Sequence, residues 1–385
     1  MKKIIAMLLT AAMLLTPVTA FAASDDTNEA ATEETTTESP VAGKKVAYIM
    51  YMSSATIFQM WSDSFTATAE ALGMEASTFF CNDNADTWKS TIEQCAQGGY
   101  DGLMVSHGGQ EYAYDFLTGI LEKYPDLKIV TFDTPFKDAN GETAKIEGVT
   151  QFFQQDAGFA ETLVQNILDM YPEKVEAGEP VNILQVQQGA GYNSPFDRRQ
   201  VGYEPFEKDG KIKTVERIAP IDDQNATSSM RDVTTATLQK YGEGEIDAIW
   251  CCYDAYAQGV YQALREADSD IPMVSVDISN EDIQFMQEGK NWKTCATTNW
   301  TSNGEFACRI LALEMADQYD DIAAASCYYE DPGAWMEIPS LIVTQEMVTS
   351  KEGVNIENLA EVAGEAYSDT SWMPTCDWMV ALLGH

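Results

Sequence analysis

The sequence predicts an α/β protein of two lobes, each a doubly wound, mostly parallel sheet. Three observations carry that expectation. Short apolar runs alternate with stretches of helical period; the alternation breaks once, between Pro135 and Gly148, and restarts in the same order; and 385 residues exceed the usual size of a single core.

In the first half, Val46–Tyr51 is a compact apolar strand, and Ile57–Leu72 carries helix-period apolar residues up to Gly73. Ala76–Phe80 reads as a strand, Thr87–Ala96 as a helix closed by Gly98-Gly99, and Leu103–Val105 as a short strand. Tyr112–Tyr124 is helical in pattern and Ile129–Phe132 is a fourth strand. Strands followed by helices at this spacing imply βαβ crossovers and a mostly parallel sheet. After the break come a helix at Phe159–Met170, a strand at Val181–Val186, a helix around Tyr203–Phe206 and a strand at Lys213–Ile218. Thr227–Tyr241 (helix), Ile246–Cys251 (strand), Tyr256–Ala267 (helix) and Met273–Val276 (strand) complete the second unit. Local repetition between the halves is poor, so the likeness is one of architecture.

The chain opens with Lys2-Lys3, an apolar run from Ile4 to Leu15, and Ala20-Phe21-Ala22. That pattern predicts a secretory signal peptide over 1–22. Its apolar run is too short to span a bilayer, and no later segment reaches the required length. Residues 23–43, rich in acids and threonine, have almost nothing to bury and are expected to form a disordered tether. With no cysteine near the cleavage point to accept lipid, the expected location is the periplasm, or secreted or at the cell surface.

Composition narrows the partners. Sixty-one Asp and Glu against 23 Lys and Arg give a formal charge of −38, which repels nucleic acid, anionic membranes and polyanionic substrates. The eight cysteines form no CxxC pair, and only His107 and His385 could join them, so neither a metal site nor a cofactor is expected. The thiols are either buried or partly paired in one or two disulfides.

In open parallel sheets small ligands bind beyond the carboxyl ends of the strands, so the residues just after the strands are the candidates. These are Phe58 and Trp61 beyond the first strand, His107 after the third and Asp133 after the fourth. The second lobe offers Gln187–Asn193, Arg198, Tyr253, Asp254 and Asp277, and Asn299 and Trp300 stand where the chain turns back toward the first lobe. Aromatic rings beside carboxylates and amides suit a sugar, whose apolar C–H face is edged by hydroxyls. Each candidate has an ordinary alternative. Asp133, Asp254 and Asp277 could instead cap following helices; Trp61 and Trp300 could be core residues; Arg198 could pair with Asp197 or bridge the lobes. His107, beside two glycines, reads as a neutral hydrogen-bonding histidine rather than a catalyst.

Read together, Lys45–Met50, Asp101-Gly102-Leu103-Met104-Val105, Lys128–Asp133, Ile246–Ile249 with Asp254 and Gly259, and Ile271–Asp277 resemble the strands of a known family. It is the type I periplasmic binding proteins, sugar-binding branch, with its ribose- and galactose-binding members; the similarity runs from about Lys44 to Val348. The resemblance implies a non-enzymatic, monomeric receptor with two lobes joined by a three-segment hinge, which captures a mono- or oligosaccharide and delivers it to an ABC permease. It implies crossovers near Gly148–Phe153, Cys295–Trp300 and Ala334–Leu341. The first lobe is then 44–152 plus about 300–334, and the second 153–299 plus about 338–385. It assigns Phe58 to ring stacking and Asp133 and Asp277 to ligand hydroxyls. This chain departs from the family pattern at Thr134 and Asp197, where arginines are usual, at Tyr253 in place of asparagine, and at Asn299 or Trp300 in place of glutamine. The longer C-terminal portion, with Tyr367, Trp372, Trp378 and Met379, is expected to pack over the second lobe or to edge a larger cleft. Two other functions fit the same residues: a receptor for a nucleoside or a signalling sugar, and an exported glycoside hydrolase using Asp133 and Asp277 as its carboxyl pair.

Overall fold

The computed structural model describes residues 38–133, 136–142, 144–189, 195–319 and 336–385. The expected signal peptide, most of the tether, Thr134, the 190–194 part of the strand-end loop and the 320–335 stretch lie outside the described residues.

The first lobe is built from β1 (Lys45–Met50), α1 (Thr56–Ala71), β2 (Glu75–Phe80), α2 (Ala85–Gln97), β3 (Gly102–Ser106), α3 (Gln110–Lys123), β4 (Lys128–Phe132) and β5 (Val149–Gln154). The second holds α4 (Asp156–Met170), α5 (Pro172–Ala177), β6 (Val181–Val186), α6 (Phe196–Lys208), β7 (Ile212–Ile218), α7 (Ala226–Leu238), β8 (Ala248–Cys251), α8 (Asp254–Glu266), β9 (Met273–Val276), α9 (Asn280–Glu288) and β10 (Trp292–Thr297). Then follow α10 (Trp300–Met315), β11 (Met336–Ile338), β12 (Leu341–Thr344), α11 (Gln345–Thr349), α12 (Glu365–Ser368) and α13 (Asp377–Leu383).

The two sheets share one topology. Strand order is β2-β1-β3-β4-β5-β11 in the first and β7-β6-β8-β9-β10-β12 in the second. All pairings are parallel except β10 with β12. Helices cover both faces, so central strands are apolar throughout; Val46 to Met50 of β1 are fully buried. Helix starts follow local chemistry: Asn84 accepts from the Thr87 N–H to begin α2, and Ser279 with Asp282 forms a capping box on α9.

Four features differ from expectation. Gly148–Phe153, expected as the first crossover, falls almost wholly within strand β5 (Val149–Gln154), and the chain leaves the first lobe after that strand, at Gln155. Its polar residues Gln151 and Gln154 are buried, which hides it from an apolar-run criterion. Cys295–Thr297, expected as the second crossover, belongs to β10, so this passage shortens to 298–299. The end of the expected tether is part of the fold: Val41 is fully buried, Ser39 donates to the Leu72 carbonyl (2.6 Å) and Gly43 to that of Gly73 (2.8 Å).

The fourth concerns the C-terminal portion, which straps across both lobes instead of covering the second. Gln287 donates to the Val348 and Val354 carbonyls, and the Ile356 N–H to Asn280 Oδ1, anchoring it on the second lobe. Further on, Asn299 donates to the Tyr367 carbonyl (2.7 Å), Trp372 packs on Phe306 at 5.1 Å, buried Arg309 donates to the Pro374 carbonyl, and Trp378 donates to Gln318 Oε1 (2.9 Å). Asn299 stands in the hinge and the rest on or just after α10, which packs on α1 and β3.

Candidate functional site

Three of the predicted residues share an uncommon backbone. His107, Asp133 and Asp277 have φ of 59°, 59° and 68°, and each directly follows a parallel strand: β3, β4 and β9. Each still donates its N–H to a carbonyl of the next strand, respectively Phe132, Phe152 and Ala296. The ladder therefore continues while the left-handed turn redirects the chain. Such conformations cost on the order of 1–3 kcal/mol and gather at binding sites. Neither aspartate caps a helix: α9 is capped by Ser279, and no described helix lies between β4 and β5.

Asp133 and Asp277 are the ends of a chain of buried charges running between the lobes. Asp133 Oδ1 accepts from Arg198 Nη2 at 2.6 Å. Arg198 also holds Asp156 Oδ2, through Nε at 2.9 Å and Nη2 at 2.7 Å. Asp156 Oδ1 accepts from Arg199 Nε at 2.9 Å, and Arg199 Nη2 reaches Asp277 Oδ2 at 3.2 Å. The order is Asp133, Arg198, Asp156, Arg199, Asp277, with Asp133 from the first lobe and the arginines from α6 of the second. Asp156 and Arg199 are each 1% exposed. Arg199 further donates to the Cys252 carbonyl (2.5 Å), and the Arg198 guanidinium lies 4.5 Å from the Phe153 ring.

A glycine makes this reach possible. In α6, one turn beyond the arginines, a Cβ on Gly202 would lie 2.0 Å from the Ala157 carbonyl oxygen of α4. The bare backbone lets α6 close on α4, and Asp156, the first residue of α4, meets both guanidinium groups there.

Burial pushes the Asp133 carboxyl up to about 7, against the pull of Arg198, and pushes Asp277 up against the pull of Arg199. Burial holds the His107 imidazole down at about 4, so it is neutral. Its Nδ1 pairs with Ser106 Oγ, and its Nε2 stands 3.8 Å from Asp133 Oδ2. Asp254 is bound to Asp282, whose oxygens already accept from Gln258 Nε2 and from the Ser279 N–H and Oγ. With the acceptor so filled, Asp254 supplies the proton of that contact, and burial and Asp282 raise it well above the ordinary range.

The aromatic candidates form one cluster on the first lobe. Phe58 lies edge-on to His107 (5.7 Å) and Trp300 (6.3 Å); Trp61 packs on Phe132 (4.5 Å) and Trp300 (6.0 Å). Trp61 is fully buried and Trp300 3% exposed, so Trp61 is a core residue behind the strand ends rather than an open wall. Across the junction, Tyr253 packs on Phe196 and Tyr256. Asn299 has a hinge role: its Oδ1 caps α10 through Thr301 and Ser302, and its amide holds the strap at Tyr367. Arg198 pairs with Asp133 and Asp156; Asp197 instead accepts from Gln188 (3.3 Å).

Sequence reasoning did not select Asp156, Arg199 or Gln154. Gln154 is 4% exposed and its Oε1 lacks a partner, as does Asp277 Oδ1; a buried acceptor of this kind calls for a donor. The signal present in the sequence was Gln154-Gln155-Asp156, three polar residues running from the last position of β5 into α4. A groove of about 420 Å³ between β7 and α7 is lined by the surface pair Lys240–Glu216, Asp232 and Ser229 among apolar side chains, and holds no buried charge chain. Among the described residues no group of three or more His, Cys, Asp or Glu could hold a metal ion, and no helix is long and apolar enough to cross a membrane.

The periplasmic binding protein domain matches residues 46–317 of the chain. No curated protein matches it. Among solved structures, a sugar ABC transporter protein from Yersinia enterocolitica is 24% identical, with a TM-score of 0.66, over 89% of this chain and 95% of that one. The 5-methylthioribose transporter solute binding protein of Thermotoga lettingae, in complex with 5-methylthioribose, is 18% identical with a TM-score of 0.66, over 88% and 98%. The Caulobacter myo-inositol binding protein bound to myo-inositol is 15% identical with a TM-score of 0.59, over 80% and 95%. At these identities the likeness is one of fold.

Proposed function

The chain belongs to the periplasmic binding protein domain family, and on that premise we propose that it is an exported, non-enzymatic receptor whose two lobes close on a small sugar or polyol and present it to an ABC permease. The observation that carries this reading is the buried chain from Asp133 to Asp277. It places carboxylates of both lobes, with their strained backbones, at one junction beside Phe58, His107 and Tyr253. A polyhydroxylated molecule there donates to Asp133, Asp277 and Gln154 and lays its C–H face on Phe58. Closure around a ligand that contacts both lobes shifts the open–closed equilibrium by the difference in affinity for the two states. The leader pattern of residues 1–22 and the family support export to the periplasm or cell surface. Support for the ligand class comes from the related structures that hold 5-methylthioribose and myo-inositol.

The test is a thermal-shift screen of the protein lacking residues 1–22 against neutral sugars, polyols, short oligosaccharides and nucleosides. A ligand that binds only the folded state raises the melting temperature. A sugar or polyol hit lost in Asp133→Ala and Asp277→Ala supports the reading. A nucleoside hit moves the site to a base-stacking receptor, and turnover of a chromogenic glycoside moves it to the hydrolases.

A further inference from the structure

We propose that Asp156 sets the charge selectivity of this site: by accepting from both arginines it withholds their guanidinium groups from anionic ligands, so that phosphorylated or carboxylated solutes are rejected. The inference rests on the receptor reading above and names the excluded ligand class and the residue responsible.

Arginine binds a carboxylate or phosphate through a fork of N–H groups, and two adjacent arginines ordinarily form an anion site. In this chain the Nε and Nη2 of Arg198 both meet Asp156 Oδ2, at 2.9 and 2.7 Å. The Nε of Arg199 meets Asp156 Oδ1 at 2.9 Å. One carboxylate, 1% exposed, thus occupies the inner edge of both forks. Arg198 Nη2 also meets Asp133, and Arg199 Nη2 meets Asp277. Three carboxylates alternate with two guanidinium groups, and both ends of the chain are carboxylates. An anion reaching Arg198 or Arg199 meets guanidinium groups already bonded to aspartates, within a protein of charge −38. Like charges brought together in a desolvated site weaken binding by roughly 100-fold. A neutral hydroxyl meets the same carboxylates as acceptors.

The experiment compares matched probes on the whole protein: ribose with ribose 5-phosphate, glucose with glucuronate, and inorganic phosphate alone. For wild type, the expected result is no thermal shift with phosphate and binding of each anionic probe roughly 100-fold weaker than its neutral parent. In Asp156→Asn, checked for folding by circular dichroism, inorganic phosphate is expected to raise the melting temperature, and that gain is expected to vanish when Arg198→Met is added. A structural role alone would not produce a gain of phosphate binding. Should Asp156→Asn fail to fold, Asp156→Ser, which suits the first turn of α4, removes the same carboxylate and is expected to show the same gain. Wild-type binding of ribose 5-phosphate or glucuronate as tight as the neutral parent overturns the inference, as does a folded variant indifferent to phosphate. Failure of every neutral probe on wild type overturns the receptor reading instead, and the phosphate arm still decides the role of Asp156.

Discussion

Replacing Gly202 with alanine tests the packing that builds the charge chain. A Cβ there would lie 2.0 Å from the Ala157 carbonyl oxygen, 2.7 Å from its carbon and 2.9 Å from its Cα. All three are backbone atoms, so no side chain can swing aside, and α6 must move off α4 by about 1 Å to restore ordinary contact. Overpacking of this kind costs about 1–3 kcal/mol and sometimes more. Alanine recovers about 1 kcal/mol of helix propensity. The net expectation is a loss of about 2 kcal/mol, because a backbone obstacle places the penalty at the upper end. Gly119→Ala is the control: it is an exposed position in α3 where a Cβ meets nothing within 4 Å. There propensity acts alone, and a gain of about 0.5–1 kcal/mol is expected. The assay is urea unfolding followed by far-ultraviolet circular dichroism. Gly202→Ala as stable as wild type would refute the close approach of the two helices. With the approach would fall the reason that Arg198 and Arg199 reach Asp156.

Three further outcomes follow from the same contacts. Removing Arg199 as Arg199→Met leaves Asp277 without its cation and Asp156 with Arg198 alone, and a loss of about 3–5 kcal/mol in the same urea assay is expected. Asp133 and Asp282 keep protons in the folded state up to about 7 and 6, whereas the unfolded chain loses them near 4, so stability falls as pH rises through that window. His107, held near 4 against 6.5, acts in the opposite sense between those values, but Asp254 and Asp277 add to the carboxyl side; the unliganded protein should melt higher at pH 5 than at pH 8. Trp372→Ala should speed hydrogen exchange across residues 365–383 while leaving β1 and β6 protected, because the strap is held on the first lobe by Trp372 against Phe306.

The parts legible in the sequence were those set by local period. Fully apolar strands such as Val46–Met50, and helices with a single buried stripe, announce themselves within a dozen residues. Asp133 and Asp277 were legible because each ends such a strand. β5 was not, since its Gln151 and Gln154 face the interior at the start of the hinge and break the apolar run. The charge chain was hidden for a different reason. Asp156 meets arginines 42 and 43 positions away, and Arg198 and Arg199 reach aspartates 65 and 78 positions away. No local pattern encodes such pairings; they follow from the crossover that brings α4 and α6 together. The strap was misassigned because Trp372 and Trp378 carry no mark of which lobe they bury against.

The most direct measurement of the central claim is calorimetric titration of the best neutral hit into wild type, Asp133→Ala and Asp277→Ala. A site shared between the lobes should lose roughly 10–100-fold in affinity from each substitution, through the charge-assisted hydrogen bonds removed. Affinity unchanged in either variant would contradict a ligand held by both lobes at this junction.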